Sequence, residues 1–328
     1  MSASRFPQPP GAIGLGSETS RFNYGAAMPD RLKAVLLMCT AVSLFSCLDA
    51  TAKYLGSYQG IPTSEIVWAR FLGQALLMVI IFGPRSVPGW FKTKRPGLQL
   101  LRSLFMVATT AFNFIAIQYL RLDQTISIAF LAPLLVAALA GPLLGEYVGW
   151  HRAMAILSGF LGVLIVVRPG IVEFHPAFLA SLVSMTAYAL FMIVTRKLAG
   201  VDPPLVTLFY ALLVGVVAGG FFAIPEWVWP ATAFDWLLLL ATGALGGLGH
   251  YLLIHAYALA PASSVSPFLY FQLMSMIGLE FLVFGDTPDR WTLIGSSVVI
   301  ASGIYLVHRE RIAHRESKDA AMEQQAAS

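Results

Sequence analysis

The stretch from Leu120 to Arg168 reads LRLDQTISIAFLAPLLVAALAGPLLGEYVGWHRAMAILSGFLGVLIVVR. Its pattern returns from Leu259 to Arg309 as LAPASSVSPFLYFQLMSMIGLEFLVFGDTPDRWTLIGSSVVIASGIYLVHR. After each leucine come two hydroxyl residues, a Gly-acid pair, a tryptophan, a glycine and an arginine, and the offset between the copies drifts only from 139 to 141. This order indicates an internal repeat. Each copy predicts two apolar helices joined at Gly145-Glu146 or Gly285-Asp286, where glycine ends one helix and the carboxylate favours the start of the next.

The composition excludes an ordinary soluble domain. Of 328 residues, 57% are hydrophobic and 12% are charged, and the mean hydropathy is +0.74, whereas soluble domains carry about 25% charged residues. We therefore expect an integral membrane protein. Its net charge of +4 is then a matter of membrane topology, and no nucleic-acid partner is predicted. Cys39 and Cys47, eight residues apart on one apolar helix, are too far apart for a disulfide and are predicted to be packing residues.

Ten apolar segments are long enough to cross the ~30 Å hydrocarbon core of a bilayer as helices. Numbered as spans 1 to 10, they are Lys33–Leu55, Thr63–Gly83, Leu98–Leu120, Leu122–Leu144, Trp150–Val167, Pro176–Thr195, Leu205–Ile224, Trp236–Ala258, Ala262–Phe284 and Trp291–Val307.

The basic residues alternate between the loops. Sixteen of the 21 Lys and Arg residues fall in the two tails or in the loops after spans 2, 4, 6 and 8, when Lys33, Arg102 and Arg152 near the starts of spans are counted with the adjoining tail or loop, and only three fall in the other loops. The remaining two, Lys53 and Arg70, lie inside spans. Since cytoplasmic segments carry the excess of basic residues, this alternation predicts that both termini are cytoplasmic. A miscount of one span would have scrambled it.

The repeat divides the ten spans into two halves of five. Because five is odd, the second half is expected to enter the membrane from the opposite side. The predicted fold is an all-α integral membrane protein with ten transmembrane helices in two inverted five-helix repeats, residues 33–168 and 175–308. Residues 1–32 and 309–328 are predicted to be cytoplasmic tails. Two inverted halves can exchange conformations, so that a site between them opens alternately to either side.

Short motifs mark particular spans. They are Trp68-Ala69-Arg70-Phe71-Leu72 in span 2, Lys53 closing span 1, Leu144-Gly145-Glu146 after span 4, Phe284-Gly285-Asp286 after span 9, and Ser184 to Lys197 in span 6. With them, the chain resembles the EamA family of the drug/metabolite transporter superfamily over about residues 33–308. It departs from the family in the first helix, where the family commonly has an aromatic residue followed by glycine and this chain has Phe45-Ser46. The resemblance implies an inner-membrane carrier with a central cavity between the halves, and it implies no substrate.

Four charged residues, Asp49, Lys53, Arg70 and Glu280, are predicted to lie in the outer half of the membrane. A charge inside the hydrocarbon costs ~2.5 to 3.5 kcal/mol on insertion scales. Asp49 and Lys53 are four residues apart on one helix face and can form an ion pair. One hypothesis is an outer gate that forms when the carrier faces inward and loosens when it faces outward. The alternative is a static ion-pair network that holds the helices together.

His250 and His255 lie five residues apart on span 8 and so point about 140° away from each other, which argues against a shared metal site. Either imidazole titrates near neutral pH and is a candidate proton carrier. A histidine that simply bonds to a neighbouring helix is the alternative.

A further set of neutral side chains could line a substrate cavity: Asn113, Gln118, Tyr188, Tyr251, Tyr270 and Gln272. Such a lining suits a flat, largely neutral organic solute. Ordinary interhelical packing is the alternative for each of them. Pro133 in span 4 and Pro267 in span 9 predict interrupted helices, which in nearby places of two halves point to a transporter binding site.

These observations favour a secondary transporter that moves a small organic metabolite across a bacterial inner membrane. The phosphate-binding Gly-x-x-x-x-Gly-Lys-Ser/Thr pattern is absent from the sequence, so we expect a gradient rather than ATP to drive transport, with protons as a candidate coupling ion. Members of the family that the chain resembles are associated with uptake of riboflavin or S-adenosylmethionine and with efflux of amino acids, metabolites or drugs, so these substrates remain alternatives. The vitamin is the first choice.

A membrane-embedded enzyme or a structural subunit is the rival of another class. Neither His-Glu-x-x-His nor Gly-x-Ser-x-Gly occurs, so no enzyme activity is predicted. No cofactor or metal is predicted either. The expected partners are the lipid bilayer and the solute, and the expected assembly is a monomer or a homodimer.

The gate hypothesis predicts that Asp49→Asn and Arg70→Gln each abolish transport while leaving the amount of protein in the membrane near normal. Transport assays and immunoblots of the same membranes measure both quantities. An equal loss of protein would favour the static network.

Overall fold

The computed structural model describes residues 28–144, 150–168, 175–198, 201–259 and 266–326, and the regular structure in these ranges is helical throughout. The α-helices are α1 (Met28–Ser57), α2 (Thr63–Phe82), α3 (Val87–Trp90), α4 (Pro96–Tyr119), α5 (Leu122–Ala129), α6 (Ala132–Leu144), α7 (Trp150–Val167), α8 (Ala177–Leu198), α9 (Pro204–Ala223), α10 (Ala233–Leu259), α11 (Phe271–Leu279) and α12 (Arg290–Ala326). Short 3-10 helices cover Pro84–Ser86 and Ser266–Tyr270, and a π-helical turn covers Glu280–Phe284.

Within the described ranges, seven helices are long and apolar enough to cross a membrane, and they coincide with predicted spans 1, 2, 3, 6, 7, 8 and 10. Three shorter apolar stretches, Leu122–Val136, Ala153–Val167 and Phe268–Phe284, occupy spans 4, 5 and 9. Large apolar side chains such as Leu282, Phe221 and Ile80 are more than 70% exposed, which suits contact with lipid. The protein is therefore an all-helical, multi-pass membrane protein, as predicted.

Span 4 is interrupted where Pro133 predicts it. α5 ends at Ala129, and α6 begins at Ala132 after a two-residue turn. Pro133 has no N–H to donate to the carbonyl of Ala129, so an unbroken helix would lack that hydrogen bond. Span 9 is irregular as well, because Pro267 lies in a 3-10 helix and the far end of the span widens into the π-helical turn. Residues 260–265 of span 9 lie outside the described chain.

The glycine of the second Gly-acid turn ends its helix as predicted. Gly285 has a φ of +76°, a left-handed conformation that favours glycine. The carboxylate that caps the next helix is Asp289 rather than Asp286, since the backbone N–H of Thr292 donates to Asp289 Oδ1 at 2.7 Å. Gly145-Glu146, the first Gly-acid turn, lies outside the described residues.

Helices from the two halves of the sequence pack against each other in matching pairs. α1 packs along α10 and α4 along α8, while α2 packs on both α9 and α10, α9 packs on α4, and α7 packs on α12. Exchanging α1, α2, α4 and α7 with α8, α9, α10 and α12 converts this set of contacts into itself. For example, α1 on α10 becomes α8 on α4. The halves are thus interlocked.

Two glycine pairs let helices from different halves touch backbone to backbone. A Cβ on Gly243 of α10 would lie 2.6 Å from the Cα of Gly73 on α2, and a Cβ on Gly295 of α12 would lie 2.5 Å from the carbonyl oxygen of Gly162 on α7. Any larger residue would push these helices apart. Inside a bilayer, such close packing provides much of the attraction between helices, because lipid tails are as apolar as the side chains.

Gly243→Ala should therefore lower the melting temperature of the purified protein in detergent by several degrees, because overpacking typically costs about 1 to 3 kcal/mol. Gly278→Ala is the matched control, since a Cβ on Gly278 meets nothing within 4 Å and alanine favours a helix. Equal melting temperatures for the two variants would contradict the close approach of α2 and α10.

Candidate functional site

A buried ion pair joins α1 to the π-helical turn. Lys53 Nζ donates to Glu280 Oε1 at 2.6 Å, and the backbone N–H of Leu122, at the start of α5, donates to Glu280 Oε2 at 3.1 Å. Glu280 is fully buried, and Lys53 Nζ also lies 4.7 Å from the centre of the Phe284 ring. Buried charges need such partners. We call Lys53, Glu280 and Leu122 the Lys53 tie, and it connects three elements through one carboxylate.

Asp49 lies one turn before Lys53, but Lys53 pairs with Glu280 instead. The prediction of an Asp49–Lys53 ion pair is therefore wrong. Asn113 Nδ2 of α4 instead donates to Asp49 Oδ1 at 3.1 Å. Arg70 of α2 is near enough to act electrostatically on Asp49. Asp49 and Asn113 both keep part of their surface accessible. A carboxylate and an amide are thus presented together beside a cation.

Arg70 is held inside the protein by neutral groups. Its Nη1 donates to Thr110 Oγ1 of α4 at 2.6 Å, and its guanidinium carbon lies 4.9 Å from the centre of the Phe71 ring. The Nε of Arg70 has no hydrogen-bond partner. Gln74, one turn further along α2, is also buried, and its Oε1 has no partner either.

His250 faces α1, and we call Asp49, Asn113, Arg70 and His250 the polar centre. Its Nδ1 lies 2.8 Å from the carbonyl oxygen of Gly246, and its ring meets the Phe45 ring edge-on at 4.9 Å. Arg70 acts on His250 electrostatically. If Nδ1 donates to that carbonyl, Nε2 is left as an acceptor.

His255 has different surroundings. It is exposed, its Nδ1 lies 2.9 Å from the carbonyl oxygen of Tyr251, and the two rings are 4.1 Å apart. His255 and Tyr251 therefore lie apart from the polar centre. Across the described ranges, no group of three or more His, Cys, Asp or Glu residues is placed to hold a metal.

Tyr188 of α8 is partly exposed. Its side chain is 42% exposed, and its ring stacks on the Phe191 ring at 6.0 Å. Tyr257 of α10 lies near Tyr188. Ser184, one turn before Tyr188, donates to the carbonyl oxygen of Thr109 on α4 at 2.8 Å. Tyr188 therefore lies on α8 close to both α4 and α10.

Three other predicted lining residues make contacts between helices. Gln118 Nε2 donates to Thr63 Oγ1, and the Gln118 carbonyl oxygen accepts from Ser57 Oγ at 3.0 Å, which joins the ends of α4, α2 and α1. Tyr270 packs its ring edge-on against Phe130 at 4.9 Å, and its hydroxyl fills the space beside Gly303. Gln272 accepts a hydrogen bond from Ser46 Oγ through its backbone carbonyl, at 3.4 Å.

Arg102 was not predicted to be a site residue, because it was counted with the basic residues of the loop after span 2. Arg102 lies in α4 and is 9% exposed. Its Nε donates to Thr195 Oγ1 of α8 at 2.7 Å and its Nη1 donates to the carbonyl oxygen of Thr207 on α9 at 3.1 Å. Its guanidinium carbon also lies 4.3 Å from the centre of the Phe191 ring. The position of Arg102 four residues into span 3 was a signal for burial.

Gln99 extends these contacts one turn earlier on α4. Gln99 Nε2 donates to Asp202 Oδ2 at 2.9 Å and to Thr207 Oγ1 at 3.1 Å. The Thr93 hydroxyl also donates to Asp202, at 2.5 Å, and so does the backbone N–H of Lys94, at 3.0 Å. These hydrogen bonds, that of Thr93 foremost, hold the pKa of Asp202 below its usual value.

We call Arg102, Gln99 and their partners on α8 and α9 the Arg102 tie. Gln118 contacts the end of α1 near Lys53, and it is sixteen residues from Arg102 along α4. At a rise of 1.5 Å per residue, this distance is about 24 Å. The two ties therefore lie at opposite ends of the bundle, with Asp49, Arg70 and His250 on the helices between them.

Removing one charged partner of the Lys53 tie should lower the stability of the protein more than neutralising both partners. Lys53→Met leaves Glu280 buried without a cation, a loss of about 3 to 5 kcal/mol, whereas Lys53→Met/Glu280→Gln keeps an acceptor for Leu122 N–H and strands no charge. We expect the double variant to melt at a higher temperature in detergent than the single variant. A double variant that melts at or below the single variant would show that the carboxylate does not depend on Lys53.

Comparison with known proteins identifies the family. The sequence matches the profile of the EamA-like transporter family at residues 32–168 and 175–308. A solved crystal structure with 18% sequence identity superposes with a TM-score of 0.58, covering 84% of this chain and 98% of that one. That likeness concerns the fold alone.

Named relatives cover most of the chain. A riboflavin transporter of Vibrio cholerae is 26% identical over 291 residues, which span 88% of this chain and 98% of the relative. An S-adenosylmethionine uptake transporter of Rickettsia bellii is 26% identical over 270 residues, or 81% of this chain and 90% of the relative. Because the family profile covers most of the sequence in two long stretches, the chain belongs to the EamA-like transporter family.

Proposed function

We propose that this protein is a secondary transporter that carries a small organic metabolite across the bacterial inner membrane by alternating access. In this proposal ten helices cross the membrane as two inverted halves, residues 33–168 and 175–308, and both termini are cytoplasmic. The Lys53 tie then closes the outer side of the substrate site, and the Arg102 tie closes the inner side.

The observation that carries the proposal is a polar centre flanked by two ties at opposite ends. The Lys53 tie joins α1 of the first half to the π-helical turn of the second. The Arg102 tie joins α4 of the first half to α8 and α9 of the second. If each tie breaks in turn, the centre opens to one side at a time, as alternating access requires.

The helix packing supports the inverted halves. The contacts that α1, α2, α4 and α7 make with their counterparts α8, α9, α10 and α12 in the other half convert into one another when the halves are exchanged. A two-fold axis in the membrane plane would produce this relationship. It would also allow the halves to exchange conformations, as alternating access requires.

The substrate that we place first is a riboflavin-like vitamin, taken up into the cell. A riboflavin transporter is among the relatives that match nearly the whole chain. The polar centre combines amide, hydroxyl and aromatic groups with the opposite charges of Asp49 and Arg70, so that it is neutral as a whole, which suits a flat and largely neutral solute. S-adenosylmethionine uptake is the second candidate, favoured by a relative of similar identity. Efflux of amino acids, metabolites or drugs is the outcome to exclude.

A transporter of this kind performs no covalent chemistry, so we propose no enzyme activity. The partly exposed Asp49 and His250 are the groups best placed to carry a coupling proton, because Glu280 is already bound to Lys53 and Leu122. The site is built within one chain. A monomer is therefore sufficient for transport, and a homodimer is compatible with it.

The test is riboflavin uptake by cells that cannot synthesise riboflavin, with and without this chain. We expect saturable accumulation that an excess of unlabelled riboflavin on the opposite side accelerates, since a carrier returns faster when loaded. The control is Arg70→Gln at an equal membrane protein level. An untargeted comparison of solutes inside and outside the same cells runs in parallel. A solute that appears outside would contradict uptake and establish export.

A further inference from the structure

Two orphaned polar atoms on α2 converge on one spot. Arg70 Nε and Gln74 Oε1 both lack a hydrogen-bond partner, although the residues are only 6% and 3% exposed. A Cβ on Gly246 of α10 would lie 3.4 Å from Arg70 Nε and 3.6 Å from Gln74 Oε1. The two atoms are therefore no farther apart than the sum of those distances. One is a donor and the other is an acceptor.

This arrangement is costly without a ligand. A buried polar atom that loses its partner typically costs about 1 to 3 kcal/mol, and more when its group is charged. Arg70 cannot easily turn away, because Thr110 holds Nη1 at 2.6 Å and the guanidinium lies over the Phe71 ring. Its Nε–H direction is thus set in advance, as in a preorganised binding site.

We propose that Arg70 and Gln74 form a subsite for the imide edge of a flat heterocyclic substrate, in which a ring carbonyl stands beside a ring N–H. Arg70 Nε–H donates to the carbonyl oxygen, and Gln74 Oε1 accepts from the N–H. This inference rests on the proposed function, because riboflavin carries such an edge on its pyrimidine-dione ring. Each protein atom then gains the partner that it lacks in the unliganded protein.

The neighbouring groups suit the rest of such a ring. Asp49, Asn113, Phe45 and His250 are all partly accessible, and Phe45 and His250 offer an edge-to-face aromatic pair. Gly246 carries no side chain, so at this position α10 places no Cβ against Arg70 Nε and Gln74 Oε1.

The geometry also links binding to closure. Without a ligand, closing α2 onto α10 buries Arg70 Nε and Gln74 Oε1 unpaired. With the imide edge in place, both atoms stay hydrogen-bonded as water is excluded. The loaded protein therefore reaches its closed conformation more readily than the empty one, which is a requirement for transport that depends on substrate.

The experiment compares uptake of riboflavin and of 3-methylriboflavin, in which a methyl group replaces the imide hydrogen. We expect the unmodified protein to prefer riboflavin by about tenfold or more, because a site that bonds to an N–H rejects an analogue lacking it. Gln74→Ala removes the acceptor and makes room for the methyl group. We expect it to bring the ratio of the two uptake rates close to one, mainly through slower riboflavin uptake.

Gln99→Ala is the matched control. Gln99 is another buried glutamine with an unpartnered Oε1, but it lies in the Arg102 tie, so its loss should leave the preference for riboflavin unchanged. Gln74→Leu provides a second variant that keeps most of the side-chain volume, should Gln74→Ala reach the membrane poorly. It should also lose the preference.

The outcomes separate the two proposals. Riboflavin uptake with a preference that Gln74→Ala and Gln74→Leu abolish supports the subsite. Riboflavin uptake with an unchanged preference in both variants overturns the subsite and leaves the proposed function standing. Absence of riboflavin uptake by the unmodified protein overturns both the vitamin assignment and the imide subsite.

Discussion

The backbone contact between Gly73 of α2 and Gly243 of α10 sets how closely the two halves of the protein approach at their centre. Lipid offers little apolar driving force for helix association, so this closeness must come from packing that only small residues permit. Arg70 lies three residues before Gly73 and Gln74 one residue after it. The same contact that brings the halves together therefore carries these polar side chains into the interior, against Gly246. The candidate site therefore depends on this close contact between the helices.

The two ties around this centre differ in chemistry. Lys53 and Glu280 are opposite charges in contact, so separating them would strand a carboxylate that has no access to water in its buried position. Arg102 is held by a hydroxyl and a carbonyl oxygen, and such neutral partners can be exchanged for water at modest net cost. The π-helical turn at Glu280 also matters, because turns of this kind often occur at functional sites. It places the carboxylate where α1 and α5 meet.

Local sequence signals predicted the elements better than the partners of individual side chains. The apolar lengths located the spans, and Pro133 predicted the break between α5 and α6 because it removes a hydrogen-bond donor. The spacing of Asp49 and Lys53 suggested an ion pair, but the structure gives Lys53 to Glu280 and Asp49 to Asn113. The spacing of residues along one helix cannot predict that a carboxylate 227 residues away will compete for the lysine. Arg102 was missed for a similar reason, since its acceptors lie on α8 and α9.

The sequence by itself determined the class of protein, the helical spans and the repeat. These follow from apolar length, periodicity and the distribution of Lys and Arg, which are local properties of the chain that decide how it inserts into a bilayer. It also identified Asp49, Lys53, Arg70 and Glu280 as unusual, since charges inside apolar spans are costly wherever the chain goes. Only the tertiary structure decided which of them meet, that Gln118 and Tyr270 join helices, and that Arg70 Nε and Gln74 Oε1 are left unpaired side by side. Those outcomes depend on how closely helices from distant parts of the chain approach, and close approach is a property of pairs of surfaces.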